Sequence, residues 1–167
     1  MKSLGLKCWL LNTLGFGKGS CFPRKIYMRR FNPEGATFEV SGPVEDFRVT
    51  SYGGEEEFTE LILKGIGKCD VFFDIGTCIG LVTIHAAQKG AKTYSFEPDP
   101  YWRSRLKRNL ELNALDDVTI IEWAVSDSEG SAVLFTDGMD GNSPSLRRVG
   151  ERGEFVVKTD SIDNALQ

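Results

Sequence analysis

The stretch Asp70-Val71-Phe72-Phe73-Asp74-Ile75-Gly76-Thr77-Cys78-Ile79-Gly80 decides how this chain reads. The nearly continuous apolar run before Asp74 is the pattern of a strand buried on both faces of a parallel sheet. The glycine turn breaks it, and Leu81 to Lys89 then predicts a helix closed by Gly90. Ala91-Lys92-Thr93-Tyr94-Ser95-Phe96 reads as a second strand. After Glu97-Pro98-Asp99-Pro100 the spacing predicts a helix over residues 101–113. Trp102, Leu106 and Leu110 form its inner face, with Arg103, Arg105, Lys107 and Arg108 outside. Asp117 to Glu122 is a third strand. Strand, helix, strand, helix, strand with short connections is a mononucleotide-binding half, so the expected class is α/β: a Rossmann-like parallel sheet with flanking helices.

Working outward, Glu55-Glu56-Glu57 followed by Phe58, Leu61 and Ile62 predicts an amphipathic helix ended by Gly65 and Gly67. Further upstream, Ala36–Val40 and Asp46–Val49 alternate on either side of Ser41-Gly42-Pro43, a β-hairpin pattern. Residues 1–50 thus read as an N-terminal extension and 51–167 as the Rossmann-like domain. Residues 15–35 are turn-rich and basic. Downstream, Ser131–Phe135 and Glu154–Lys158 read as strands around a polar loop, Thr136 to Gly153, expected to be mobile. Thr159 to Leu166 resembles a capped helix start.

The apolar run Leu4 to Leu11 is interrupted by Lys7 and stops at Asn12. That is well short of the roughly 20 residues a membrane helix needs, so no span is expected; the segment reads as an amphipathic element. The four cysteines form no Cys-x-x-Cys pair and the single histidine is His85, which argues against a metal site and a disulfide framework. Free thiols point to a reducing compartment, the cytoplasm. A net charge of -4 points away from a nucleic-acid partner.

The loop carries the functional signal. Gly76 allows a sharp turn and close approach of a ligand, Gly80 allows close packing of helix on strand, and Thr77, Cys78 and Ile79 lie between them. Glu97, at the tip of the next strand, is placed to accept two hydrogen bonds from a ribose diol. A pyrophosphate dinucleotide loop calls for Gly-x-Gly-x-x-Gly, whereas Cys78 stands at the middle position and Asp74 puts a negative charge ahead of the loop. S-adenosylmethionine has no phosphate and carries a sulfonium and an ammonium, which suit that acid. Two other readings stay open: a dinucleotide oxidoreductase half-domain, and a plain structural role in which Asp74 and Glu97 cap helix starts.

At these residues the chain resembles a known family. Val71 to Gly80, then Ser95-Phe96-Glu97-Pro98-Asp99-Pro100, then Asn109-Leu110-Glu111-Leu112-Asn113 look like the FkbM-type class I methyltransferases. The segments Trp123 to Gly130 and Val157 to Asp163 extend the likeness, which runs from about residue 50 onward. The resemblance implies an S-adenosylmethionine-dependent enzyme acting on a hydroxyl oxygen of a small-molecule or glycan acceptor. By that analogy Asp74, Gly76 and Gly80 shape the methionine side of the pocket, Glu97 and Pro98 the ribose side, and the segment around Ala124 the adenine side. The family's Gly-Ala-Asn-x-Gly loop is Gly-Thr-Cys-Ile-Gly here. Its further strand, roughly Lys-x-Asp-x-Glu-Gly, does not occur before Gln167, so relative to the family the fold reads as incomplete at the C-terminus. An edge beside Val71–Phe73 would then be open to pairing, and an inactive cofactor-binding fragment is the alternative reading. No catalytic base is singled out: Asp127, Asp137, Asp140 and Asp160 read as turn or cap residues, and His85 as structural.

Overall fold

The computed structural model of the chain describes residues 25–29, 35–51, 55–135 and 154–166. The N-terminal amphipathic segment, most of the basic stretch, the loop expected to be mobile, and Asp137 and Asp140 lie outside these residues. Strands β1 (Lys25–Arg29) and β2 (Ala36–Val40) precede helix α1 (Pro43–Ser51) and helix α2 (Glu56–Gly65). The central unit is β3 (Val71–Ile75), α3 (Leu81–Gln88), β4 (Lys92–Phe96), α4 (Pro100–Leu112) and β5 (Thr119–Ile121). Strands β6 (Ala124–Val125), β7 (Gly130–Phe135) and β8 (Glu154–Asp160) follow, and a short 3-10 turn spans Asp163–Leu166.

β3, β4 and β5 form a parallel sheet in that order, with Asp74 opposite Ser95 and Ser95 opposite Ile120. Two successive β-α-β crossovers make this unit Rossmann-like. Thr83 on α3 bonds Ser95 Oγ at 2.9 Å, so α3 covers the face that carries Asp74 and Ser95. By strand alternation Phe73, Tyr94 and Phe96 lie on the other face, where the Phe73 and Tyr94 rings stack at 5.3 Å. A second sheet has the order β6-β8-β7, with β8 parallel to β6 and antiparallel to β7.

The main core lies on the helical side of the sheet. Ile79, Ile84, Trp102, Leu106 and Leu110 pack there with Ala36, Phe38, Val40 and Val49. The β1–β2 hairpin and α1 therefore close the core from outside the α3–α4 layer. Polar contacts fasten them: Asn109 Oδ1 accepts from Glu39 N at 2.9 Å, Asn113 bonds both Thr37 N and Thr37 O, and the guanidinium of Arg105 meets Glu39 and Glu45.

Three expectations are corrected. The hairpin pairs Lys25–Arg29 with Ala36–Val40, and Pro43–Ser51 is a helix rather than its second strand. Proline in the first turn followed by Glu45 and Asp46 is a helix start, and these outweigh the short alternation of Phe47 and Val49. On α2 the set Phe58 and Leu61 faces solvent, 60% and 68% exposed, while Thr59 and Leu63 are the buried pair. β3 is not buried on both sides: among the described residues it is an edge strand, with Val71 and Ile75 more than half exposed.

Arg105 also departs from expectation, because it points inward and is only 9% exposed. Its Nε donates to Glu45 Oε1 at 2.8 Å, Nη1 to Glu39 Oε1 at 3.1 Å and Nη2 to Glu39 O at 2.8 Å. Tyr101 donates its hydroxyl to the same Glu45 oxygen at 3.1 Å, and Ser41 N donates to Glu45 Oε2 at 2.6 Å. Removing the cation strands two buried carboxylates, which typically costs about 3–5 kcal/mol. Arg105→Ala is therefore expected to lower the urea midpoint by that equivalent. A shift below about 1 kcal/mol would show that Glu39 and Glu45 are not held in this way.

Candidate cofactor site

The site grows from the C-terminal tips of β3, β4 and β5. Where β3 ends, Gly76 takes φ +80°, Cys78 φ +55° and Gly80 φ +87°, three left-handed residues in one short loop. The two glycines answer different constraints. A Cβ on Gly80 would lie 2.5 Å from Leu106 Cδ1, whereas one on Gly76 would meet nothing within 4 Å. Gly80 therefore faces the core and Gly76 faces open space at the strand tips. Cys78 takes the same backbone region with a side chain, at a cost of roughly 1–2 kcal/mol.

The loop's backbone donors are nearly all engaged inside the fold. Gly76 N and Thr77 N both donate to Phe96 O, at 2.9 and 3.3 Å, and Gly80 N donates to Thr77 O at 3.0 Å. Cys78 N donates to Glu97 Oε2 at 2.8 Å. Thr77 Oγ1 closes the turn on Asp74 O at 2.9 Å. The open cradle of amides on which a pyrophosphate rests is thus not offered by Gly76, Thr77, Cys78 or Gly80.

Asp74 sits beneath the loop. Its Oδ2 accepts from Thr83 Oγ1 at 2.5 Å and from Thr83 N at 3.1 Å. Burial pushes its carboxyl above the usual carboxylate range, and the two bonds from Thr83 only partly oppose that. Glu97, buried at the tip of β4, accepts from Cys78 N through Oε2 and from Asp99 N through Oε1 at 3.0 Å. A carboxylate oxygen accepts along two lone-pair directions, so each oxygen keeps one free. Burial raises the Glu97 carboxyl as well, against the lowering influence of those two amides.

The other expected residues divide. Thr77 is buried, with its hydroxyl turned to the Asp74 carbonyl. The side chains of Cys78 and Ile79 lie in the main core, so these two residues face the crevice only through their backbone. Burial pushes the Cys78 thiol up to about 12, which makes it inert as a nucleophile. Pro98 is half-buried, and its carbonyl accepts from Arg103 Nη1 at 2.6 Å. Ala124 packs with Leu134 and Val157 in the second sheet. Asp160 caps the terminal turn through Ser161 N and Asn164 Nδ2, Asp127 accepts from two serine hydroxyls, and His85 Nδ1 bonds Leu81 O at 2.8 Å. All three thus have structural partners. The sequence reading missed Arg103, which it left on the solvent face; its place in the first turn after Glu-Pro-Asp-Pro was the available signal.

No family model matches the chain. An uncharacterised protein of Methanocaldococcus jannaschii is 34% identical over 78 residues, covering 47% of this chain and 30% of that protein. The hexuronic acid methyltransferase AglP of Haloferax volcanii is 27% identical over 132 residues, covering 79% of this chain and 54% of AglP. The chain thus spans about half or less of the length of the curated relatives it matches. Among solved structures, M. jannaschii TYW2 in complex with AdoMet aligns with a TM-score of 0.46 at 23% identity, over 64% of this chain and 44% of that one. The M. jannaschii tRNA m1G37 methyltransferase aligns at 0.41 and 20%, over 64% and 35%. These overlaps are partial, and the fold assignment rests on the strand order and register given above.

The two glycines should separate cleanly on substitution. Gly80→Ala forces a methyl into Leu106 in a strained backbone region and is expected to lower thermal stability severely. Gly76→Ala is expected to cost only about 1–2 kcal/mol, from backbone strain alone. Equal losses in thermal denaturation would contradict the assignment of Gly80 to the core side and Gly76 to the open side.

Proposed function

We propose that this chain binds S-adenosylmethionine and serves methyl transfer, as in enzymes of the FkbM type, to a hydroxyl of a small-molecule or glycan acceptor. The observation that carries the reading is the state of the loop. The amides of Gly76, Thr77, Cys78 and Gly80 are engaged within the fold, while two acids, the half-buried Asp74 and the buried Glu97, stand near the ends of adjacent strands. That arrangement repels a pyrophosphate and suits a cofactor that is cationic and has a ribose. It disfavours the dinucleotide reading.

The chain's residues fit such a cofactor. Glu97 keeps one acceptor direction on each oxygen, which matches a vicinal diol. Gly76 leaves open space where any other residue would place a Cβ. Asp74 adds negative potential on the side where the methionyl ammonium and sulfonium would lie. When bound, S-adenosylmethionine supplies a methyl group on a good leaving group. The protein's part is alignment and exclusion of water. Ala124 and its neighbours are assigned to the adenine border. A relative named for hexuronic acid supports a sugar acceptor, and a methyl-transfer assay that offers a hexuronic acid glycan beside RNA tests that choice.

Isothermal calorimetry with S-adenosylmethionine, S-adenosylhomocysteine and NAD tests the reading. Micromolar binding of the first two and none of NAD is expected; tighter binding of NAD would overturn it. Glu97→Gln should weaken S-adenosylhomocysteine roughly 10- to 100-fold, the equivalent of about 1.5–3 kcal/mol for hydrogen bonds to a charged group.

The pH dependence has a definite sign. The diol donates to the ionised carboxylate, and burial has raised the pKa of that carboxyl. Affinity should therefore fall as pH drops through the raised carboxyl pKa and hold above it. The Glu97→Gln variant should show a shallower fall. A profile flat from neutrality down to the ordinary glutamate range would remove Glu97 from the ribose role.

A further inference from the structure

Arg103 stands one turn into α4 with its side chain only 16% exposed, and it reaches back to the tips of two strands. Its Nη1 donates to Glu97 O at 3.1 Å and to Pro98 O at 2.6 Å. Its Nη2 lies 3.5 Å from Glu122 Oε2, just past the end of β5, and Lys107 reaches the same carboxylate at 3.7 Å. Glu97 N meanwhile donates to Ile121 O at 3.0 Å. One guanidinium therefore joins the Glu97-Pro98 turn to the residue that precedes Trp123 and Ala124.

We propose that Arg103 is a positioning residue for nucleoside recognition. It fixes the Glu97-Pro98 backbone, and so the free lone pairs of the Glu97 carboxylate, at a set spacing from the β5 tip. The inference rests on the cofactor reading given above. The geometry requires arginine because two carbonyls and a carboxylate are met by one planar fork; a lysine ammonium reaches fewer of them in fixed directions. Arg105, on the same helix, is purely structural, since its partners Glu39 and Glu45 belong to the hairpin side of the core. Arg103 is also a positive charge beside Glu97 and favours its ionised form, which gives its loss an electrostatic signature apart from any effect on folding.

The test is calorimetric titration of the full chain with S-adenosylhomocysteine across pH, for the wild type, Arg103→Gln, Arg103→Lys, Glu97→Gln and the Glu97→Gln/Arg103→Gln double variant, with folding checked by circular dichroism. Arg103→Gln is expected to weaken binding about tenfold and to move the acid limb of the profile to higher pH. Arg103→Lys should restore part of the affinity and return the limb toward its original place. In the Glu97→Gln background, loss of Arg103 should matter less than twofold, because the group it positions is already gone. A wild-type affinity and unshifted limb in Arg103→Gln would overturn the proposal. So would a tenfold loss that persists in the Glu97→Gln background. Should Arg103→Gln fail to fold, Arg103→Lys carries the comparison: an unshifted limb and full affinity there would overturn the need for the fork. A wild type that binds no S-adenosylhomocysteine at all would instead remove the cofactor reading itself.

Discussion

The carboxylate of Glu97 ties together the two loops on which the crevice depends. One oxygen takes the amide of Cys78 and the other the amide of Asp99. The first bond belongs to the glycine loop after β3 and the second to the start of α4. Hydrogen bonds to a charged group contribute more than neutral ones, about 1.5–3 kcal/mol each. That is enough to offset the roughly 1–2 kcal/mol of strain at Cys78, whose left-handed backbone points its amide at Glu97 and its side chain into the core. The loop is strained because the carboxylate holds it, and the carboxylate is buried because the loop covers it. Loss of the Glu97 carboxylate would release both amides.

A second buried ionic group performs the opposite task. Arg105 and its partners Glu39 and Glu45 fasten the β1–β2 hairpin and α1 over the α3–α4 layer, away from the strand tips. Such a group adds specificity of docking more than net stability, because desolvation offsets much of its Coulombic gain. The hairpin supplies Phe38 and Val40 to the core, and an apolar face alone would let it slide along α4. Directional contacts from Asn109, Asn113 and Arg105 fix its register. The same helix α4 thus anchors the hairpin through one set of residues and the crevice through Asp99 and Arg103.

The legible part of the fold was that in which local and global preferences agree. The β3–α3–β4–α4–β5 series announced itself through an apolar run, a glycine turn, the Glu97-Pro98-Asp99-Pro100 break and the Trp102, Leu106, Leu110 stripe. The misreadings fall where tertiary partners decide. Lys25 and Arg29 made β1 look like part of a basic turn, yet Lys25 is held 3.2 Å from Asp46 on α1. Arg105 read as a solvent charge because its two acids come from a distant stretch of chain. The Phe58 and Leu61 stripe of α2 had the right period and the wrong neighbour, since the helix turns Thr59 and Leu63 inward instead. At the strand tips, the placement of Glu97 and of the loop glycines was readable from spacing. The burial of Cys78 and Ile79 was not, because a left-handed residue in a loop reverses which way a side chain points.

Two raised carboxyls on neighbouring strands also say something about what the crevice accepts. Asp74 pairs with Ser95, two residues before Glu97, so the two acids lie near the ends of adjacent strands about 4.8 Å apart. Burial disfavours their ionised forms, and the bonds from Thr83, Cys78 and Asp99 recover only part of that cost. An anion brought to these tips would add repulsion to a site already short of compensation. A cation would favour both ionised forms, and a neutral diol would satisfy the remaining lone pairs of Glu97. In the proposed reading, the open space at Gly76 and the two acids favour one class of ligand: cationic at one end, hydroxylated at the other and free of phosphate.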